Sequence, residues 1–308
     1  MFASYFYITL IFITFSFWTT AQESWKQDVH NWNTEHLKGI VSIVEEKCFI
    51  GKEQNGTYTV VKPGWEHTWE DDSKSYFDSV GNLVKVDFYR SGSKFRTEFY
   101  MYQNTKLIER FRLYHHSFYE YDALGRVKLE RYKFITSKVT TPFTNFTYFY
   151  DRVGNLTVKK ETDSLNALIG IDSIFYDQQN RPVKILSYYE GVIDFQLLTY
   201  DSNGHIQEHI FGDNEEGLAE KLNYTYENEQ LKIEFWTVYA DNEPDGVTIT
   251  YFEDNNPVKV LEQDADGEIT NTKTSSYEFD QYGNWIKQTV KNSDDNSVYI
   301  VTRSITYY

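Results

Sequence analysis

Tyr119-Glu120-Tyr121-Asp122-Ala123-Leu124-Gly125-Arg126-Val127 reads as the end of one β-strand, a turn and the start of the next strand. Tyr119 and Tyr121 are two residues apart, the spacing that puts side chains on one face of a strand. Asp122 opens a type I turn, because its carboxylate accepts backbone N–H bonds two residues on. Three residues later the chain needs a positive φ, which Gly125 supplies without steric strain. A type I turn closed by a left-handed residue is a common hairpin connection. Val127 therefore begins a return strand.

The same reading repeats along the chain. Asp78 and Gly81 follow Phe77, Asp151 and Gly154 follow Tyr150, Asp201 and Gly204 follow Tyr200, and Asp280 and Gly283 follow Phe279. In looser copies Asn180 and Asn256 stand where glycine would, asparagine being the next most tolerant of left-handed backbone. The copies at Tyr102 with Asn104 and at Tyr226 with Asn228 are one residue shorter. The register aromatics stand at positions 77, 102, 121, 150, 176, 200, 226, 252 and 279. They recur about every 25 residues, and self-similarity at a fixed period marks a repeat architecture. Each unit has room for two strands of roughly eight residues and two turns.

Nine such units predict an all-β fold, an antiparallel hairpin meander of about 18 strands. A twisted sheet this wide cannot stay flat. It is expected to curl into an open coil, a barrel or a shell with its aromatics inside. The repeat domain is expected to span residues 39–308, with a degenerate first hairpin at residues 39–69. Residues 22–38 form a non-repeat leader that contains Trp25, Trp32 and His36.

Composition fits this picture. Aromatics make up 18% of the 308 residues, with 26 Tyr and 22 Phe, and such residues suit a pleated, half-buried surface. A formal net charge of −16 with no basic stripe argues against nucleic-acid binding, which rests on phosphate neutralisation. It gives instead a soluble, self-repelling surface. Residues 5–18 are apolar or aromatic except for Thr9, Thr14 and Ser16, and Thr19-Thr20-Ala21 supplies small residues before Gln22. Residues 1–21 thus read as a signal peptide, although one without a basic start. The expected location is secreted or in the cell envelope, periplasmic or extracellular, with no membrane span after signal removal. Cys48 is the single cysteine. It excludes an intramolecular disulfide and reads as a small buried hydrophobe.

The Tyr-Asp-x-x-Gly-[Arg/Asn]-[Leu/Val] units, over roughly residues 76–308, resemble the YD repeats of the Rhs and teneurin-like family. The resemblance implies a rolled β-sheet, which in the largest members is a hollow shell enclosing a cargo. The Asp-Pro-containing self-cleavage core and the effector domain of toxin-delivering members have no counterpart in the sequence. The resemblance therefore implies a small exported member without a toxin or self-cleavage core. The unit is also similar to the Tyr-Tyr-Phe-Asp-x-x-Gly repeats of glycan-binding surface modules, without their Trp-rich second half.

Two motifs suggest metals and neither survives its context. His205-Ile206-Gln207-Glu208-His209 matches the inverted zinc-protease pattern, which needs both histidines on one helical face. Here it runs from a turn into a return strand, where the histidines lie about 13 Å apart. That is too far for one zinc with bonds of about 2 Å. Glu262, Asp264, Asp266 and Gly267 resemble half of a calcium loop, but Lys273 stands where a bidentate glutamate belongs. Asp241–Gly246 is read as a similar acidic turn. No catalytic residue, metal site or cofactor is expected.

The ladder tyrosines 121, 150, 176, 200 and 226 are read as core, not as a sugar-stacking groove. Tyr76, Phe149, Phe175 and Tyr251 fall on the opposite face, where one sheet cannot easily bury them. They are the candidate ligand-binding surface. The expected function is that of a non-enzymatic exported protein that binds an unknown protein or glycan at the cell surface. The alternatives are a structural shell or scaffold segment and a carbohydrate-binding surface module. An outer-membrane barrel is disfavoured, because plain alternation leaves neither face of Leu156–Thr162 apolar enough for lipid.

Overall fold

A computed structural model describes residues 31–63, 72–136 and 139–308. The signal-peptide reading, and Trp25 of the leader, lie outside the described residues. The described chain is an antiparallel meander. A first hairpin joins β1 (Val41–Gln54) and β2 (Thr57–Pro63). Three repeat units follow as β3 (Asp72–Phe77) and β4 (Leu83–Arg90), β5 (Ser93–Gln103) and β6 (Lys106–Arg112), β7 (His115–Tyr121) and β8 (Val127–Phe134). The next three are β9 (Thr144–Tyr150) and β10 (Leu156–Thr162), β11 (Leu168–Tyr176) and β12 (Pro182–Tyr189), β13 (Val192–Tyr200) and β14 (Ile206–Asp213). The last three are β15 (Gly217–Glu227) and β16 (Gln230–Ala240), β17 (Glu243–Glu253) and β18 (Asn256–Asp264), β19 (Ile269–Phe279) and β20 (Trp285–Asn292). The strand β21 (Val298–Tyr307) completes the sheet.

The predicted 18 strands are thus β3 to β20, and three more, β1, β2 and β21, make 21. Two of these, β1 and β21, close the sheet. Along one edge β1 pairs from Val41 to Gly51 with β21. Along its other edge, Ile43 to Glu46 pair with β3. Every strand except β2 therefore belongs to a closed barrel, which has no free edge. The exception, β2, hangs from the far half of β1.

The turns follow the predicted chemistry. Gly81, Gly125, Gly154, Gly204 and Gly283 have φ of 93°, 84°, 101°, 93° and 81°, and Asn180 has 61°. Asn256 is a correction. Its turn places Asp254 and Asn255 at φ 47° and 61° instead, the two-residue hairpin in which both central residues are left-handed. Asn104-Thr105 and Asn228-Glu229 form the same turn, with φ of 50° and 65° in each, which explains the shorter units.

A second correction concerns alternation. In all nine units the register slips by one residue just before the register aromatic, as between Glu120 and Tyr121 or Phe149 and Tyr150. The extra residue lies on the return strand. Leu156 pairs with Tyr150, but Lys159, not Val158, pairs with Tyr148. The faces of β10 are therefore Leu156, Lys159 and Glu161 inward and Val158, Lys160 and Thr162 outward. Such bulges increase local twist, which a closing sheet needs. The outer wall carries charge within its apolar rows, at Lys160, Lys184 and Lys221.

The core lies on the inner wall. One cluster groups Val41, Val44, Phe77, Leu83, Val86, Tyr100, Leu107, Tyr119 and Val127. A second groups Leu156, Ile174, Ile185, Leu198 and Ile206, with Tyr150, Tyr176 and Tyr200 packed on it. The leader docks against the first cluster. Trp32 lies under the turn of Gly81, and its Nε1 donates to the Val41 carbonyl at 2.8 Å.

Candidate functional site

The ladder tyrosines build a wall at the turn end of the barrel. Tyr121, Tyr150, Tyr176 and Tyr200 each donate a hydroxyl hydrogen bond to a carbonyl of the preceding unit. The acceptors are Leu107, Val127, Leu156 and Pro182, at 2.6, 2.7, 2.8 and 2.6 Å. Burial pushes the Tyr176, Tyr200 and Tyr226 hydroxyls up to about 12.

The turns lock this wall from above. Asp122 Oδ1 accepts the amides of Leu124 and Arg126, both at 2.9 Å. Asp78, Asp151, Asp177, Asp201 and Asp280 do the same two and four residues on. The second carboxylate oxygen takes the side chain of Asn82, Arg126, Asn155, Arg181 or His205. The Arg126 amide, with its guanidinium, holds the Asp122 carboxyl below the usual carboxylate range. Arg126 then lies 4.3 Å from the centre of the Tyr150 ring and Arg181 4.4 Å from that of Tyr200. His205 stacks on Tyr226 at 4.5 Å and 19°. These three turns thereby clamp the aromatic of the following unit.

This wall encloses a cavity of about 1460 Å³. Tyr150, Tyr176, Tyr200, Tyr226, Phe252 and Trp285 line it. The leader residues Trp32, Leu37 and Lys38 cross its mouth. They are tied there by Asn284, which accepts the Lys38 amide at 2.7 Å and donates to the Lys38 carbonyl at 2.8 Å. Four basic side chains of the wall are engaged by carboxylates. Arg126 and Arg181 bind their turn aspartates, His205 bridges Asp201 and Glu229, and Arg303 binds Glu46 at 2.7 Å.

Deeper in the lumen lie charges, of which those on the return strands are hidden from plain alternation by the bulge. Tyr148 donates to Glu130 at 3.1 Å, Lys273 to Glu262 at 2.5 Å and the Trp236 indole to Glu220 at 3.0 Å. His209 meets Gln196 at 3.1 Å, and burial pushes its imidazole down to about 4. Burial pushes the Glu234 carboxyl up to about 7. The available signal was the third residue after the one paired with the register aromatic, which is Glu130, Lys159, His209 or Glu234 in four units.

The predicted outer surface is placed but not assembled. Tyr76, Phe149, Phe175 and Tyr251 all lie on the outer wall, on β3, β9, β11 and β17. Phe149 and Phe175 are 48% and 49% exposed and lie two strands apart. Tyr76 and Tyr251 are half-buried, each six strands from the nearer of that pair. Lys85 covers Tyr76 at 4.3 Å. The metal motifs end as structure. Residues 206–213 are strand, His209 faces the lumen, and Glu208 lies outside against Lys221. Asp264 caps its turn through the amides of Asp266 and Glu268. Among the described residues no group of three or more His, Cys, Asp or Glu could hold a metal ion.

No family model matches the chain, and no curated protein does. Solved structures with a similar course include the toxin complex TcdB2-TccC3 with Cdc42, at 11% identity and a TM-score of 0.37. That match covers 74% of this chain, which spans only 14% of the toxin chain's length. The Photorhabdus luminescens Tc holotoxin pore matches at 11% identity and a TM-score of 0.36, over 74% of this chain and 14% of that one. A porin-like protein from Bacteroides uniformis matches at 8% identity and a TM-score of 0.37, over 87% of this chain and 98% of that one. Among the described residues no helix is long and apolar enough to cross a membrane.

Proposed function

We propose that the chain is a small exported YD-repeat protein that acts by binding, not by catalysis, at the cell envelope or outside the cell. Its ligand enters the turn-end cavity of the barrel. One observation carries this reading: a cavity of about 1460 Å³ walled by aromatic rings that the fold itself holds in place. The hydroxyls of Tyr150, Tyr176 and Tyr200 are tied to backbone carbonyls, and the arginines beside them are tied to turn carboxylates. A wall fixed in this way loses little freedom when a ligand arrives. Ring edges beside the amides of Asn155, Asn180 and Gln230 suit a ligand with both apolar and polar faces, as sugars and peptides have. The non-catalytic part of the reading is supported by the same pairings, since Arg126, Arg181, His205 and Arg303 are each held by a carboxylate.

The test is a binding screen of the mature chain against glycans and peptides, read by the fluorescence of Trp32 and Trp285, which both line the cavity. Gln230→Trp, at a half-buried position of the cavity wall, is expected to abolish binding while the melting temperature holds. Undiminished binding in that variant, or turnover of the bound molecule, would overturn the reading. A second reading, a scaffold that docks other proteins on its outer wall, rests on the exposed rings of Phe149 and Phe175.

A further inference from the structure

One rung of the ladder is left open. Asn256 stands where Arg126, Arg181 and His205 stand in their units, one residue before the partner of the register aromatic. Those three side chains lie on the ring of the following unit, as does Lys106, 5.0 Å from the centre of the Tyr121 ring. The Asn256 amide instead donates to the Asp254 carbonyl of its own turn at 3.0 Å. The ring of the following unit is Phe279, and it is 49% exposed. Every other register aromatic is buried or half-buried. Phe279 also lacks the hydroxyl that anchors the ladder tyrosines. Tyr277, two residues earlier, makes that bond, to the Pro257 carbonyl at 3.0 Å. The Phe279 ring is thus neither clamped nor anchored, and it lines the cavity.

Free charges of both signs flank this ring. Lys38 of the leader has both backbone groups tied to Asn284. Its Nζ lies 3.1 Å from where a Cβ would stand on Gly283, in the turn that follows Phe279. Asp254 stands on the other side, in the turn between β17 and β18. The two turns are two strand spacings apart, about 10 Å. Among the described residues neither the Lys38 ammonium nor the Asp254 carboxylate has a partner. Both residues line the cavity, as does Asn255. Trp285 pairs with Phe279 across the strands, but Arg303 covers its ring at 3.5 Å.

We propose that this rung binds a neutral sugar, with one face of a pyranose ring stacked on Phe279 and its hydroxyls on Lys38, Asp254 and Asn255. This rests on the cavity-binding reading above and names its ligand class. An ammonium offers only donors and a carboxylate only acceptors. A ligand that serves both, on either side of one apolar ring, needs groups that donate and accept, as hydroxyls do. The C–H face of a pyranose is apolar and weakly positive, and the face of an aromatic ring is negative. A ligand of net charge would gain at one flank and lose at the other. The formal net charge of −16 adds to the repulsion of an acidic sugar.

The experiment titrates methyl β-D-glucopyranoside, methyl β-D-galactopyranoside and methyl α-D-mannopyranoside into the mature chain. Sorbitol, an open-chain polyol, is the control that has hydroxyls but no ring face. Binding is read by saturation-transfer NMR and folding by the melting temperature. At least one pyranoside is expected to bind, with saturation strongest on the protons of one ring face, and sorbitol is expected not to. Phe279→Ala is expected to weaken that binding about tenfold, the scale of one lost ring contact. Phe279→Tyr is expected to retain it. Both variants should melt close to wild type, because the ring is exposed. Equal binding of sorbitol overturns the stacking inference and leaves the cavity reading standing. So, for the choice of rung, does pyranoside binding that survives Phe279→Ala but is lost in Gln230→Trp. If it survives both, the cavity reading falls as well. Binding of peptides but of no pyranoside overturns the sugar class alone, and binding of neither overturns both readings.

Discussion

Gly81 and Gly154 occupy the same turn position with φ of 93° and 101°, yet they carry different loads. A Cβ at Gly81 would lie 2.7 Å from the Trp32 indole, whereas at Gly154 the nearest atom is an Arg126 nitrogen at 3.9 Å. Left-handed strain costs either alanine about 1–2 kcal/mol. Gly81→Ala must also displace the leader, so it is expected to cost at least about 1 kcal/mol more in urea unfolding. Only that variant should red-shift the tryptophan emission. Equal costs would show that the leader is not packed under the turn.

Glu234 and His209 give a pH prediction in which the two groups oppose each other. The Glu234 carboxyl is raised from 4.5 to about 7, so the folded state holds the proton more tightly. Its contribution to stability falls as pH rises from about 4.5 to about 7. The His209 imidazole is lowered from 6.5 to about 4, so its contribution is lost as pH falls through that window. Glu234→Gln is expected to gain roughly 1–3 kcal/mol at pH 8 and nothing at pH 4. It leaves the His209 limb exposed in urea titrations between those limits. A uniform gain at all pH values would show that ionisation of Glu234 is not what the substitution relieves.

The repeat unit couples a local turn to a non-local clamp, and only the first half was legible. Asp122, Gly125 and the paired tyrosines were readable because turn chemistry acts within four residues. The residue after the glycine stood out as Arg or Asn, but its role depends on the next unit's ring, which sequence spacing alone does not place. The bulge was not legible either. It obeys no residue-type rule here, since the extra position is Lys128 in one unit and Thr157 in another. The return-strand charges Glu130 and Glu262 followed it out of sight. At Asn256 a three-residue turn was assumed where Asp254-Asn255 supports two left-handed residues in succession. The unit predicts a graded response at Tyr150. Tyr150→Phe leaves the Val127 carbonyl without its donor and should cost about 1 kcal/mol. Tyr150→Ala also removes a ring packed on the second core cluster and under Arg126. It should cost about 3 kcal/mol, the low end for a large aromatic, because one edge of the ring faces the cavity. A loss below 1 kcal/mol for the alanine, measured by thermal unfolding, would mark the ladder as a surface feature.

Closure belongs to the whole molecule. Hairpin pairing is local and was readable unit by unit, but whether a sheet meets its own edge depends on strand number, stagger and tilt together. The seam joins residues far apart in sequence. Arg303 of β21 binds Glu46 of β1 at 2.7 Å, and the Tyr308 amide donates to the Ile40 carbonyl at 3.0 Å. This makes β1 a central strand over Ile43 to Glu46, with partners on both sides, although it opens the repeat region. Its hairpin mate β2 pairs with β1 alone. Proline separates the two cases, because it removes a backbone donor and is tolerated only on edge strands. Val44 is 8% exposed and packs in the first core cluster, whereas Val60 is 51% exposed. Val44→Pro is expected to cost about 3 kcal/mol or more and to shift the protein towards aggregates in gel filtration, as the opened edges seek partners. Val60→Pro should cost at least about 2 kcal/mol less and stay monodisperse. If the two variants unfolded at the same urea concentration, β1 would not be the strand that closes the barrel, and the enclosed cavity would lose its wall at the seam.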